Sequence, residues 1–420
     1  MNILVFGGSG KIGSAIAWDL VKEEDVEAVG IIGRRRDALE KTKAWISNSK
    51  VKSYNLDIAD TQTIMGLMES YDVGVIALPD RKTSYQVLEM AIDANLNIVD
   101  ILEEYHRRPD PYETEGLDIP NGMIAADYGE WLHEKAQVRG LTILDGMGFA
   151  PGISNITLGE GIRKLDNAES AIARVGGIPA KDVADMHPLK YIITWTFDHV
   201  LREYMVRLKV IKDGKIVEVD ATSDLEPFRF TQFDIDEELE CAITPGMPSF
   251  IYTHPELLEF AEKTIRWPGH WQGVQILKEC GLLDLQPVEM NGLKIVPRDF
   301  LLAVLSPKLQ PRGGETDICV MWNTITGTKD GRRTVINYYL WDEADTVNGI
   351  SAMARVTGYS AAVGALFLGR GMLTRKGIVP PEDVIQGENY DLFIDELSRR
   401  AIRVINQIEV FESDGNSSSI

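Results

Sequence analysis

Residues 2–13 read NILVFGGSGKIG, and apolar residues at helical spacing follow at Ile12, Ile16 and Leu20. Four consecutive apolar residues, Ile3 to Phe6, suit a buried strand, and the glycines behind them end it. The stretch therefore reads as strand, tight turn, helix. Gly8, Gly10 and Gly13 place the pattern GxGxxG at that junction. There the missing side chains let the backbone turn, approach a pyrophosphate and pack a helix against a strand. The helix start adds N–H groups that attract an anion. Ser9, Lys11 and Ile12 complete the candidate cradle. A ligand-free glycine turn is the alternative; the flanking strand and helix, and the start at residue 2, favour a dinucleotide.

The next strand, 28–32, ends in Gly33-Arg34-Arg35-Arg36. This point lies about twenty residues past the glycines, where NAD-preferring sites carry an acid on the ribose. No acid stands here. A guanidinium binds a 2′-phosphate through charge-assisted, often bidentate hydrogen bonds, so Gly33, Arg34 and Arg35 point to NADP rather than NAD. A solvated charge run is the competing reading. Further apolar runs at 51–56, 73–78 and 96–99 alternate with helical sequence, as in a doubly wound parallel sheet of α/β class. Ligands gather at the carboxyl ends of such strands. Asp57 and Ile58 would then flank adenine, Ala77, Leu78 and Pro79 the middle of the coenzyme, and Asp100 the nicotinamide, unless Asp100 caps the following segment.

The 420-residue chain carries a formal net charge of −21, which argues against nucleic acid and acidic membrane surfaces as partners. Cys241, Cys280 and Cys319 are far apart and form no CxxC, so neither a disulfide framework nor a zinc site is expected. No apolar run approaches the roughly 18 residues of a membrane span, and the amino terminus has no basic leader. These features predict a cytoplasmic protein. A second glycine-rich turn, Asp145-Gly146-Met147-Gly148-Phe149-Ala150-Pro151-Gly152, follows the strand at 140–144 and opens a helix over 153–165. Strands are predicted at 171–175 and 191–197. Hairpins turn at Asp213-Gly214 and Asp330-Gly331, a strong signal between alternating runs. Helices are predicted over 348–368 and 390–404. The organisation expected is a dinucleotide-binding domain at 1–150, an inserted mixed α/β domain with an antiparallel sheet at 151–347, helices returning to the first domain at 348–412, and a polar tail at 413–420.

Four stretches together resemble the saccharopine dehydrogenase family: GGSGKIG at 7–13, DGMGFAPGISNITLG at 145–159, KTIRWPGHWQGVQILKECGLLD at 263–284 and ARVTGYSAAVGALFLGRGMLTRKGIVPPE at 354–382. FAPGISN, with VGGIP at 175–179, is more similar to the lysine 6-dehydrogenase branch. The saccharopine-forming reductases typically carry an aspartate before that Pro-Gly, where this chain has Ala150. The resemblance implies a Rossmann domain built from both chain ends, an inserted substrate domain, a homodimer, and NAD(P)-linked oxidation at a C–N bond of an amino acid. Deamination of the lysine ε-amine is the leading expectation. Reductive condensation, of the saccharopine or carboxynorspermidine type, is the alternative, and a nonenzymatic NADP-binding redox sensor is a third.

Oxidation of an amine by hydride transfer needs a neutral amine and a group that takes up a proton. Arg266 and His270 in RWPGH form the strongest constellation outside the glycine turn, because a guanidinium fork binds a carboxylate and an imidazole stands close by. Asp100 and Asp145, at strand ends, are rival proton acceptors. Phe149, Arg174 and Thr357 are candidates for the substrate cleft. The remaining histidines, His106, His133, His187, His199 and His254, show no ligand spacing, so no metal is expected.

Overall fold

The computed structural model describes residues 1–110, 117, 119–120, 122–411 and 417–419. The opening follows a βα alternation: β1 (Asn2–Phe6), α1 (Lys11–Leu20), β2 (Ala28–Gly33), α2 (Arg36–Ile46), β3 (Val51–Asn55), α3 (Thr61–Met68), β4 (Val73–Ile76), α4 (Arg81–Asp93), β5 (Asn97–Asp100), α5 (Ala125–Val138), β6 (Thr142–Asp145) and α6 (Ile153–Arg163). The middle is strand-rich: β7 (Asn167–Pro179), α7 (Lys181–Ala184), α8 (Phe197–Glu203), β8 (Arg207–Lys212), β9 (Lys215–Asp220), β10 (Glu226–Phe230), β11 (Glu237–Ile243), α9 (Phe250–Thr253), β12 (Glu259–Arg266), α10 (His270–Glu279), β13 (Val288–Met290), β14 (Leu293–Ile295), α11 (Pro297–Leu309), β15 (Asp317–Lys329) and β16 (Arg332–Glu343). The end comprises α12 (Ala352–Gly369), β17 (Gly377–Val379), α13 (Glu388–Arg399), β18 (Val404–Phe411) and β19 (Ser417–Ser419).

Two compact units result, one from 1–164, 246–255 and 354–404, the other from 165–245, 256–353 and 405–420. The first holds the parallel sheet, ordered β17-β6-β5-β4-β1-β2-β3. This is the expected doubly wound α/β sheet. Its interior strands are apolar on both faces because helices cover both, and Ile3, Leu4, Val5 and Phe6 of β1 are fully buried. The second unit holds a sheet ordered β10-β11-β12-β7-β15-β16-β18-β19, with β8 and β9 branching from β12. It is mainly antiparallel, with β7 and β12 running parallel. Both predicted hairpins form, β8–β9 and β15–β16, and their Asp-Gly corners adopt the positive φ that such turns require (Asp213 50°, Gly214 69°; Asp330 51°, Gly331 73°).

Several boundaries differ from the sequence expectation. The first unit runs to 164 rather than 150, because α6 is fastened within it: Arg163 donates to the Glu382 carbonyl at 3.2 Å and Asn155 to the Glu382 carboxylate at 3.1 Å. Residues 352 and 353 stay with the second unit, where their N–H groups donate to Asp317 at 2.7 and 3.0 Å. Segment 246–255 returns to the first unit, which no composition shift marks. Residues 404–411 form a strand, not the end of a helix. The run 191–197 is not a strand: Ile193 N–H donates to the Leu309 carbonyl, and Tyr191, Ile193 and Phe197 pack into a helix-lined cluster with Leu301, Leu305 and Leu309. Of the polar tail expected at 413–420, residues 413–416 and 420 lie outside the described residues.

Candidate active site

The opening turn is shaped by contacts a side chain would break. Gly7 has φ 75°, and a Cβ there would meet the Ala77 carbonyl oxygen at 2.2 Å; at Gly13 it would meet the Gly7 oxygen at 2.3 Å. Gly10 differs: it is exposed, and its Cβ would have only the Gly7 oxygen, at 3.2 Å, within 4 Å. The turn thus packs inward through Gly7, Gly8 and Gly13 and opens outward at Gly10. No side chain caps α1. These features fit a pyrophosphate at the helix start, with Ser9, Lys11 and Ile12 around it. Ser9 Oγ lies beside Gly33, so the first two turns are adjacent. Arg34 and Arg35 are exposed, and neither pairs with a carboxylate among the described residues. Asn55, at the end of β3, donates to the carbonyls of Gly33 (3.1 Å) and Arg34 (2.9 Å) and so fixes the backbone that carries both arginines. Sequence reading missed Asn55, whose role depends on the β2–β3 pairing. Asp57 accepts from Ala59 N–H at 3.0 Å in a local turn, while Ile58 is buried, and Ala77, Leu78 and Pro79 leave β4 beside the glycine turn.

Asp100 and Asp145 end β5 and β6 in register, and both are buried. Their oxygens are engaged inside the unit rather than offered at its surface. Asp100 accepts from Ser84 Oγ and from Leu102 N–H (2.8 Å); Asp145 accepts from His106 N–H (2.8 Å) and Nδ1 (2.6 Å). His106 Nε2 lies 3.2 Å from Ser84 Oγ and 3.7 Å from Asp100 Oδ2. Burial pulls the His106 pKa down, but the charges of Asp145, Glu104 and Asp100 outweigh it and raise it to about 10. Glu104, buried against His106 and Arg81, is pushed up to about 7 by desolvation. No local sequence pattern marks this role of His106, whose partner Asp145 lies 39 positions away. The second glycine turn lies next to the cluster, with Met147 N–H donating to the Asp100 carbonyl at 2.7 Å. Phe149 is buried in that turn, and Thr357 packs its methyl against Gly148.

Arg266 and His270 meet in the second unit, as the RWPGH spacing predicts, around a residue it does not contain. Tyr204 OH accepts from Arg266 Nε (3.3 Å) and Nη2 (3.1 Å) and lies 3.1 Å from His270 Nε2. His270 Nδ1 lies 2.8 Å from the Leu189 carbonyl, so it carries the proton; Nε2 accepts from the tyrosine. Burial, reinforced by Arg266, lowers the His270 pKa to about 3. The imidazole is neutral and both nitrogens are committed. Arg266 is buried and also donates to the carbonyls of Ile265 (2.9 Å) and Gly177 (3.4 Å), while no carboxylate among the described residues pairs with it. Its guanidinium faces the rings of Tyr191 (5.2 Å) and Trp271 (5.9 Å). Among the described residues the buried Trp271 indole N–H has no hydrogen-bond partner, while the Tyr191 hydroxyl is linked to Thr194. The Glu203 charge acts on Arg266 only from beyond hydrogen-bond distance, so the buried guanidinium keeps the capacity to take an anion. Arg174, by contrast, is held by Glu226 (3.0 and 3.2 Å), donates to Thr324 and stacks on Trp322 at 4.6 Å. Its donors are spent within the sheet.

Comparison with known proteins agrees with this layout. Residues 3–124 match the saccharopine dehydrogenase NADP binding domain, and residues 148–402 the saccharopine dehydrogenase C-terminal domain. The chain is 24% identical to carboxyaminopropylagmatine dehydrogenase of Synechocystis, over 90% of this chain and 91% of that protein. It is 22% identical to the NADP(+)-dependent, L-glutamate-forming saccharopine dehydrogenase of Schizosaccharomyces pombe, over 66% of this chain and 76% of that one. The structure of apo saccharopine dehydrogenase (L-Glu forming) from Saccharomyces cerevisiae superposes with a TM-score of 0.75 at 21% identity, covering 97% of this chain and 99% of that one, which shows the fold. With the open glycine turn, the unpaired arginines behind it and both domains matched, the chain belongs to the saccharopine dehydrogenase family and is an NADP-binding oxidoreductase.

Proposed function

We propose that the protein oxidises a C–N bond of an amino acid whose carboxylate is held by Arg266, and that the substrate is the ε-amine of lysine. The single observation that carries this reading is the buried Arg266 guanidinium, which has no carboxylate hydrogen-bonded to it among the described residues and stands beside the unused indole N–H of Trp271. Bound NADP supplies the hydride acceptor. Gly10 and the first turn of α1 hold its pyrophosphate, and Arg34 and Arg35 its 2′-phosphate. Arg266 fixes the amino acid through its carboxylate, and Tyr204 keeps the guanidinium fork in place. His270, neutral and accepting from Tyr204, keeps a second cation out of the carboxylate site.

In the oxidation the substrate ammonium first gives up a proton to solvent water, leaving the neutral amine. A hydride then leaves the ε-carbon, and the nitrogen lone pair closes the C=N bond. Water adds to the iminium carbon, the C–N bond breaks, and ammonia departs as the semialdehyde forms. Ala150, at the position where the resemblance expects an aspartate in saccharopine-forming reductases, supports a deaminating reaction. A second reading, reductive condensation of an amine with an oxo acid, is favoured by the relative matched over nine-tenths of this chain, named carboxyaminopropylagmatine dehydrogenase. Incubation with NADP and lysine, ornithine, saccharopine or polyamines, followed by product analysis, separates them. Ammonia release with lysine supports deamination; a secondary amine formed in the presence of NADPH and an oxo acid supports condensation; no turnover with any amino acid removes both.

A further inference from the structure

The cluster at the ends of β5 and β6 poses an electrostatic problem. Asp100 and Asp145 are register neighbours on adjacent parallel strands, so their carboxylates leave the sheet on the same side, and both are buried. Hydrogen-bond bookkeeping fixes what lies between them. Ser84 gives its single hydroxyl proton to Asp100, so the contact from Ser84 Oγ to His106 Nε2 needs an N–H on the imidazole. The 2.6 Å contact from His106 Nδ1 to the Asp145 carboxylate needs a second N–H. Burial raises the Asp100 pKa against the opposing pull of His106, and the surrounding carboxylates raise that of His106 to about 10, so the imidazole holds the proton that ties the two carboxyl groups together in a medium of low dielectric constant.

The surroundings hold the ring in that place. Tyr85 of α4 lies against it at 4.4 Å between ring centroids, and Tyr128 of α5 stacks on Tyr85 at 5.9 Å. Gly129 lets α5 pass over the His106 backbone, where a Cβ would come within 2.3 Å of the His106 oxygen. The charged and titratable groups facing the imidazole are Asp100, Asp145 and Glu104, with Arg81 3.3 Å beyond Glu104 and the Tyr85 hydroxyl donating to Glu104 at 2.7 Å. Two stretches of backbone depend on this bridge. Segment 101–106 is tied down by the Leu102 and His106 N–H groups on the two aspartates, and the turn after β6 by Met147 N–H on the Asp100 carbonyl. Both lie at the carboxyl ends of parallel strands, where a doubly wound sheet receives its ligand, on the side of β1 away from the arginines of β2.

We propose that His106 is a positioning residue for the nicotinamide half of the coenzyme: its imidazolium clamps Asp100 to Asp145 and thereby sets the 101–106 segment and the 146–152 turn against which that half rests. Asp100 and Asp145 act through this clamp and not as proton acceptors for substrate.

The test compares two probes by fluorescence and calorimetry on the full chain: NADPH, and 2′,5′-ADP, which carries only the adenine half. His106→Gln is expected to weaken NADPH binding about tenfold or more while leaving 2′,5′-ADP within about twofold, since only the clamp end is disturbed. Adding Asp145→Asn removes one of the opposed charges, so the double variant is expected to recover most of the lost NADPH affinity. Unchanged NADPH binding in His106→Gln, equal loss for both probes, or a double variant no better than the single one would each overturn the proposal. If His106→Gln fails to fold, the double variant decides: a folded protein that binds NADPH supports the charge clamp, and failure of both assigns His106 to core stability alone.

Discussion

Arg266 is the residue at which binding and stability are expected to move in opposite directions. Replacing it by methionine keeps most of the side-chain volume and removes the charge. Each hydrogen bond from a charged donor contributes about 1.5–3 kcal/mol. Losing a two-pronged grip on a carboxylate therefore amounts to about 3–6 kcal/mol, or roughly two to four orders of magnitude in kcat/KM for the amino acid. The KM for NADP should stay within about twofold, because Arg266 lies in the unit that does not carry the glycine turn. Stability should respond differently. Arg266 is buried and hydrogen-bonded only to neutral groups, Tyr204 OH and two backbone carbonyls, with Glu203 acting on it from beyond ion-pair distance, so no close ion pair repays its desolvation. Replacing such a charge by an apolar side chain is expected to be neutral or to stabilise by about 1–3 kcal/mol, raising the melting temperature by roughly 2–4 °C per kcal/mol in a unit of this size. Steady-state kinetics with both substrates varied, and thermal melts without ligand, provide the readouts. A large drop in melting temperature together with equal losses toward coenzyme and amino acid would make Arg266 a packing residue and remove the carboxylate site.

Arg34→Ala with Arg35→Ala is expected to raise the KM for NADP by about one to two orders of magnitude and to leave the KM for NAD nearly unchanged; equal effects on the two coenzymes would place the 2′-phosphate elsewhere. Gly10→Ala should fold with an unaltered melting temperature, since its Cβ meets little, yet bind NADPH at least about tenfold more weakly; Gly13→Ala should lose stability itself, because its Cβ meets the Gly7 oxygen at 2.3 Å. Similar melting curves for the two variants would refute the inward and outward division of the turn. His270, depressed to about 3 from an ordinary 6.5, contributes stability that is present above pH 6.5 and is lost as pH falls toward 3. His270→Gln should show a shallower fall in melting temperature across that window than the parent, and parallel curves would mean that the imidazole already titrates normally.

What could be read from the sequence was whatever short-range chemistry fixes. The glycine turn and the two Asp-Gly corners each lie within a few residues of the feature they specify, and all three formed. The RWPGH pair also came together, because β12 leads directly into α10. The residues that join them are distant along the chain. Tyr204 reaches Arg266 across 62 positions, His106 reaches Asp145 across 39, and Asn155 reaches Glu382 across 227. No local pattern encodes such pairs, since they depend on which strands become neighbours. The run 191–197 failed for a related reason: short apolar runs fit either a strand or a helix-packed segment, and only the carbonyl of Leu309 decides between them. Segment 246–255 joins the first unit through Ser249 and Thr253, whose hydroxyls serve the Glu382 carboxylate, a pairing invisible before the fold is known.

The parallel sheet closes at one edge with β17, whose Gly377–Val379 pair with Thr142–Leu144 of β6. On the ribosome, β6 emerges long before its neighbour, and at about 5–20 residues per second the delay is roughly ten seconds or more. Throughout that interval a nascent chain carries the first six strands with β6 as an added uncovered edge, beside the β3 edge that the complete sheet keeps. Truncation anywhere before residue 377 leaves the same edge exposed permanently. Isolated amino-terminal fragments of this enzyme should therefore self-associate during synthesis, and a free-standing coenzyme-binding module would need the distal piece supplied in trans.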